Sequence, residues 1–160
     1  MAIRKRLGPM WPIDFRELTR IGDPVLPDRF GRPHKGRDLH AKAGTRVVAA
    51  VAGKVLQVRK PKDPKALRFV DVLGVDGKVY RYLHLWEIPD SLKEGGKVSA
   101  GDLIGTVAAT GTSGVFDSTP HLHFEIRDGE FDRSRGEKGD YGPPIEPLTL
   151  LQRFPANKRA

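Results

Sequence analysis

The sequence predicts an all-β fold: a compact antiparallel β-sheet, folded over on itself or packed as a sandwich, with Gly-rich loops and minor short helices. Three observations carry that prediction. Short Val-rich runs recur between Gly-rich turns, Asp76-Gly77 separates two apolar runs, and His121–Ile126 alternates polar and apolar with period two.

Pro9 to Pro33 holds five prolines and two glycines interleaved with Trp11, Phe15, Ile21, Val25, Leu26 and Phe30. So many apolar anchors read as an ordered but irregular lead-in rather than a disordered arm. Strand signals start after the turn at Gly44. Arg46–Val58 is rich in Val and Ala, with Gly53-Lys54 expected to break it into two pieces. Lys60–Lys65, with two prolines and three lysines, is a solvent-facing excursion. Leu67–Val75 and Lys78–Leu85 flank Asp76-Gly77 and predict a hairpin, because Asp-Gly supplies the positive φ of a two-residue turn. Leu103–Ala109 predicts a strand, the loop Thr110–Pro120 is full of Gly, Ser and Thr, and His121–Arg127 is the last clear strand. Asp128–Gly142, with eight charged residues and four glycines, reads as a surface loop. Only Ile13–Leu18 and Leu148–Phe154 suit a helical turn or two, the latter opened by Pro147.

At 160 residues the chain fits one domain. It has no cysteine, which excludes disulfides, iron–sulfur clusters, thiolate zinc knuckles and cysteine nucleophiles. The net charge is +8, and it is segmental. Residues 1–70 carry 17 basic and 6 acidic residues, whereas residues 71–160 carry 11 and 14. Such a segment suits a polyanionic partner, whether nucleic acid, an anionic membrane face or an acidic wall polymer, and suits equally a solvated face. Met1–Phe15 has a basic head without a following apolar stretch, so no signal peptide is read, and no run of 18 apolar residues predicts a membrane span.

The chemistry concentrates on histidines. On a strand, His121, His123 and Glu125 share one face while Leu122, Phe124 and Ile126 face the core. Two residues of strand span about 6.6 Å, so both imidazoles can reach one cleft, one binding a metal and the other handling a proton. The plainer alternative is a pair of surface histidines on a half-buried strand. His34 and Asp38 offer nitrogen and oxygen donors suited to zinc, but extended chain would hold their Cα atoms about 13 Å apart. The backbone must therefore bend, and Gly36 is where it can. A basic loop whose Asp pairs with Arg32 or Arg37 explains the same residues. Parity puts Tyr80, Tyr82 and His84 on one face, either beside a cleft or in a cross-strand set. There is no HExxH, no phosphate-binding loop with its lysine and no Gly-x-Ser-x-Gly elbow.

The elements Phe30-Gly31-Arg32, His34-x-x-x-Asp38, Gly44-Thr45-Arg46-Val47, Tyr82-x-His84-Leu85, Gly101-Asp102-Leu103-Ile104-Gly105 and His121-Leu122-His123-Phe124-Glu125 follow in an order that resembles the lysostaphin-type, or LytM-like, zinc metallopeptidases that cut peptidoglycan cross-links. The resemblance covers about 120 of the 160 residues. It implies a metal cleft framed by the Gly-rich loops, a lead-in over 1–29, a peptidase domain over 30–151 and a basic tail over 152–160. His34, Asp38 and His123 resemble the zinc ligands. His121 and His84 resemble the two catalytic histidines that do not bind the ion. Two departures are local: Gly114–Pro120 is longer than the usual turn before His121, and His40 stands where a small or apolar residue is commoner.

The implied function is zinc-dependent hydrolysis of amide bonds in peptidoglycan cross-linking peptides. A zinc hydrolase of another peptide and a non-catalytic wall-binding module are the alternatives. With no glutamate placed as base, a histidine of ordinary pKa about 6.5 must move the proton. His121 is expected to be that base, with His84 stabilising the oxyanion or protonating the leaving amine, and the reverse assignment stays open. Tyr82 is a candidate to hold the substrate backbone, and Glu125 to orient a neighbour. Trp11, Phe15, Phe30 and Tyr80 lack stacking-motif spacing, so no nucleic-acid partner is expected. A monomer acting at the bacterial wall or periplasm is expected, with an anionic wall polymer as a second partner. The cross-link chemotype and a cellular, toxin or phage origin stay open.

If residues 1–70 steer the protein to anionic walls, wall binding is expected to weaken as salt rises from about 0.05 to 0.5 M, while cleavage of a short neutral peptide barely responds. Sedimentation of the protein with walls, beside peptide assays at matched salt, checks this. An equal response of both substrates removes the steering.

Overall fold

The computed structural model describes residues 8–116 and 119–155. The expected basic tail lies largely outside the described residues, as do Asp117 and Ser118 of the long turn. The fold is all-β. The strands are β1 (Arg20–Ile21), β2 (Leu26–Arg29), β3 (Arg32–His34), β4 (Arg37–His40), β5 (Arg46–Val48), β6 (Gly53–Arg59), β7 (Phe69–Gly74), β8 (Val79–Leu83), β9 (Lys97–Val98), β10 (Leu103–Thr106), β11 (His121–Arg127) and β12 (Pro144–Ile145). Among the described residues there is one helix, α1 (Pro147–Leu151), capped by the Glu146 carboxylate, which accepts from Leu148 N–H.

The main sheet is antiparallel in the order β1-β4-β11-β8-β7-β6-β9, with β12 beside the end of β11, and β1 and β9 at its edges. The pairs β5–β10 and β2–β3 form two small sheets. Strand β11 lies between β4 and β8, and all seven of its residues are buried. Its apolar side chains Leu122, Phe124 and Ile126 pack into a core with Leu39, Tyr80, Tyr82, Val70, Val72 and Leu151. Trp11 and Ile13 of the lead-in join the same core. The opposite face holds His121, His123, Glu125 and Arg127, also buried. A pattern that reads as one wet face is thus a strand covered on both sides, and the surface-histidine alternative is excluded.

The structure corrects several local expectations. The lead-in is less irregular than the sequence suggests. It carries β1 and the β2–β3 hairpin, whose prolines Pro27 and Pro33 sit in a small separate sheet where missing N–H groups cost little. Strand signals therefore precede Gly44. Gly53-Lys54 opens β6, and the break falls at residues 49–52. A Cβ at Gly53 would collide with the Leu73 carbonyl oxygen, so close packing against β7 selects this glycine.

Tyr82 is also corrected. Its ring is fully buried 5.3 Å from that of Phe124, and its hydroxyl accepts a 2.9 Å hydrogen bond from Ala50 N–H. Tyr82 faces the core and presents nothing to a substrate. Tyr80 is buried beside it. Of this strand, Leu83 reaches the cleft instead, because it pairs directly with His123.

Tyr82→Phe is expected to leave Ala50 N–H buried without an acceptor, costing about 1–3 kcal/mol. Chemical denaturation of the full chain measures it. Undiminished stability would mean that the hydroxyl carries no structural load.

Candidate metal centre

Register brings the site together. In the β4–β11 pair, Asp38 lies opposite His123 and His40 opposite His121, so residues about 80 positions apart become neighbours on one face. The chain between β3 and β4 bends at Lys35-Gly36, which returns Asp38 toward His34. Gly36 serves by its lack of bulk: a Cβ there would lie 2.5 Å from the Phe124 carbonyl oxygen and 2.8 Å from His123 Nε2. His84 arrives by a different device. Regular alternation after Tyr82 and Leu83 would send it into the core, but φ is +65°, and this left-handed residue turns the imidazole into the cleft. The sequence-based face shared by Tyr80, Tyr82 and His84 fails at this one residue. Holding a non-glycine residue there costs about 1–3 kcal/mol, a strain often found at functional sites.

Asp38 Oδ1 is the centre of the cluster. His34 Nε2 lies 3.2 Å from it, His123 Nδ1 3.1 Å and His121 Nε2 3.6 Å. The ligand atoms of His34, Asp38 and His123 all lie within 4.8 Å of one another, and all three residues are buried. Donors at about 2.1 Å from a tetrahedral ion would sit roughly 3.4 Å apart, so this spacing fits zinc, as does the N, O, N donor set.

Hydrogen bonds fix which nitrogen of each ring looks inward. His34 Nδ1–H donates to the Pro24 carbonyl (2.7 Å), His84 Nδ1–H to that of Ser113 (2.7 Å) and His121 Nδ1–H to that of Thr119 (2.8 Å). Carbonyls only accept, so Nε2 carries the lone pair in each neutral ring. His123 is reversed: Nε2 faces Glu125 Oε1 at 3.0 Å and Nδ1 faces Asp38. His40, flagged by its parity with Asp38, stays outside the cluster. Arg20 donates to its Nε2 (3.1 Å), and Nδ1–H donates to Thr119 Oγ1 (2.9 Å).

Electrostatics follow from these contacts. Burial would raise the Asp38 carboxyl, but the bonds to His123 and His34 hold it far below the usual carboxylate range. Burial would lower His123, yet Asp38 and Glu125 on either side raise it to about 9. A cation or a proton is thus drawn to the point between His123 and Asp38. Burial pushes His84 down to about 4 and lowers His121. Burial also opposes ionisation of Glu125, but His123, Arg81 and Arg127 bring it down to about 2.

Three supporting arginines were missed in the sequence. Arg29 of β2 binds Asp38 Oδ2 at 3.0 Å, leaving Oδ1 for the cluster. Nothing in the sequence marks it. Arg127 binds Glu125 Oε2 at 3.1 Å and Asp140 at 2.8 Å, and Arg81 joins Glu125 (3.4 Å) to buried Asp71 (2.9 Å). Here a signal existed, since the period-two face of His121, His123 and Glu125 continues to Arg127. The cleft over the cluster measures about 630 Å³, and Arg29, Phe30 and Arg32 form one wall, with Phe116 also lining it.

Comparisons with known proteins bear on the family and the fold. The family model described as Peptidase family M23 matches residues 32–137. A zinc containing peptidase from Vibrio cholerae superposes with a TM-score of 0.63 at 28% identity, over 88% of this chain and 39% of that one. The catalytic domain of the antimicrobial peptidase lysostaphin from Staphylococcus simulans gives 0.63 at 25% identity, over 83% and 92%. Csd3 from Helicobacter pylori gives 0.63 at 27% identity, over 91% and 33%. The chain therefore spans well under half of the Vibrio and Helicobacter proteins.

Glu125→Gln keeps the shape but weakens the grip on His123 Nε2–H. Zinc affinity, read by chelator competition, is expected to fall about 10- to 100-fold. An unchanged affinity would show that Glu125 does not act through the ligand.

Proposed function

The chain belongs to peptidase family M23, and from that premise we propose that it is a zinc-dependent endopeptidase hydrolysing amide bonds in the cross-linking peptides of peptidoglycan. The observation that carries the proposal is the convergence of His34, Asp38 and His123 on one buried point, beside two further imidazoles that open on the same cleft. His34 Nε2, Asp38 Oδ1 and His123 Nδ1 would hold the ion. When bound, zinc supplies Lewis acidity to an attacking water and to the scissile carbonyl.

The protein's own groups handle the protons. His121 presents Nε2 with its other nitrogen tied to a carbonyl, so it takes the proton of the attacking water and passes it to the leaving amine. The rings of His121 and His84 are 4.9 Å apart. Burial lowers both rings, and the approach of His121 Nε2 to Asp38 Oδ1 (3.6 Å) favours His121 as the group that carries the proton. In its fixed tautomer His84 offers Nε2 as an acceptor, suited to a water or a substrate N–H. An oxyanion contact from His84 would require a second proton on the ring.

Purified walls of the main chemotypes, digested and analysed by mass, test the substrate, with zinc content measured on the same preparations. His123→Ala is expected to lose both zinc and cleavage. His121→Ala is expected to keep zinc and lose about 10²- to 10⁴-fold in rate, or about 3 to 5.5 kcal/mol of barrier. A His121 variant that sheds its zinc, or cleaves at full rate, overturns the assignment.

A further inference from the structure

The two local departures of the sequence, His40 and the long turn before His121, meet at one residue. Thr119 accepts the His121 Nδ1–H on its carbonyl and the His40 Nδ1–H on its hydroxyl. His40 cannot swing freely, because Arg20 donates to its other nitrogen and β4 pairs it directly with His121. The two rings pack 5.2 Å apart at 39°. His40 is buried, and it sits in the middle of a relay that starts on the edge strand β1 and ends on His121. Gly22 leaves room for it: a Cβ there would lie 2.8 Å from His40 Nε2.

We propose that His40, clamped by Arg20, is a positioning residue for His121, acting through Thr119. The inference rests on the proposed role of His121 as proton carrier. A guanidinium always donates, so Arg20 forces the lone pair of His40 onto Nε2 and the proton onto Nδ1. That proton orients the Thr119 hydroxyl and fixes the backbone carbonyl beside it. The carbonyl in turn sets the tautomer and the ring plane of His121. Asp38 shares the strand with His40, and His121 Nε2 lies 3.6 Å from Asp38 Oδ1, but the relay includes none of the three ligand residues, so its loss should slow the reaction without releasing zinc. Misplacing a reacting group by about 1 Å can cost 10²-fold.

The experiment uses the full zinc-loaded chain with three changes. His40→Ala removes both bonds, His40→Asn keeps a donor close to the Nδ1 position, and Thr119→Val removes the hydroxyl while keeping the carbonyl. Zinc content, kcat and KM on a wall peptide, and the His121 ring N–H signal by NMR are read on each. His40→Ala and Thr119→Val are expected to keep zinc, hold KM within about twofold and lose roughly 10- to 100-fold in kcat. Both should broaden the His121 signal, their double variant should be no worse than either alone, and His40→Asn should recover most of the loss. An unchanged kcat with a sharp His121 signal overturns the proposal. So does a loss in His40→Ala that Thr119→Val fails to reproduce, because that marks a packing role. If the parent protein cleaves no wall peptide, the substrate reading falls, and the His121 signal still decides the positioning role.

Discussion

The centre depends on one pairing register. Asp38 stands opposite His123 because β4 and β11 run antiparallel with those two residues facing each other. A slip of one residue would turn His121, His123, Glu125 and Arg127 toward the core and expose Leu122, Phe124 and Ile126. The apolar half of β11 therefore enforces the position of the polar half. A slip would forfeit the burial of Leu122, Phe124 and Ile126 in the core, where Phe124 packs against Tyr80 and Tyr82.

Burying four polar residues in a row requires partners for each, since an unpaired buried charge is costly. The structure meets this with two chains of contacts. One runs from His123 through Glu125 to Arg81 and Arg127, then to Asp71, Asp140 and Tyr141. The other consists of backbone carbonyls that each hold one ring nitrogen of His34, His84 or His121. Orientation of the imidazoles is thus written into loops, at Pro24, Ser113 and Thr119, while their placement comes from strands or strand ends.

Much of this was legible in the sequence, and the gaps have physical causes. Strand β11 has the bounds that its alternation predicts, and the Asp76-Gly77 hairpin joins β7 to β8. These signals are local. The contact of Asp38 with His123 is non-local, and only the resemblance to a known family linked the two residues beforehand. Pro27 and Pro33 masked the β2–β3 hairpin, because proline usually argues against a strand. Parity misassigned Tyr82 and His84 because it assumes that alternation persists, whereas a single left-handed residue reverses the face. Arg29 carries no pattern, since its partner lies on another sheet.

The sheet's margins have a consequence for how the protein behaves in concentrated solution. Exposed strand edges recruit other chains, and long flat ones seed aggregation. Here the main sheet ends in β1 at one edge and β9 at the other, each two residues long. The β1 border offers an incoming strand only a short ladder, whereas β9 pairs with β6 at Gly53 and Lys54 alone and leaves Gln57–Arg59 without a strand partner on that side among the described residues. Of the two seven-residue strands, β11 is enclosed between β4 and β8, so cross-chain pairing with the main sheet falls to the outer side of β6, three strands away from β11.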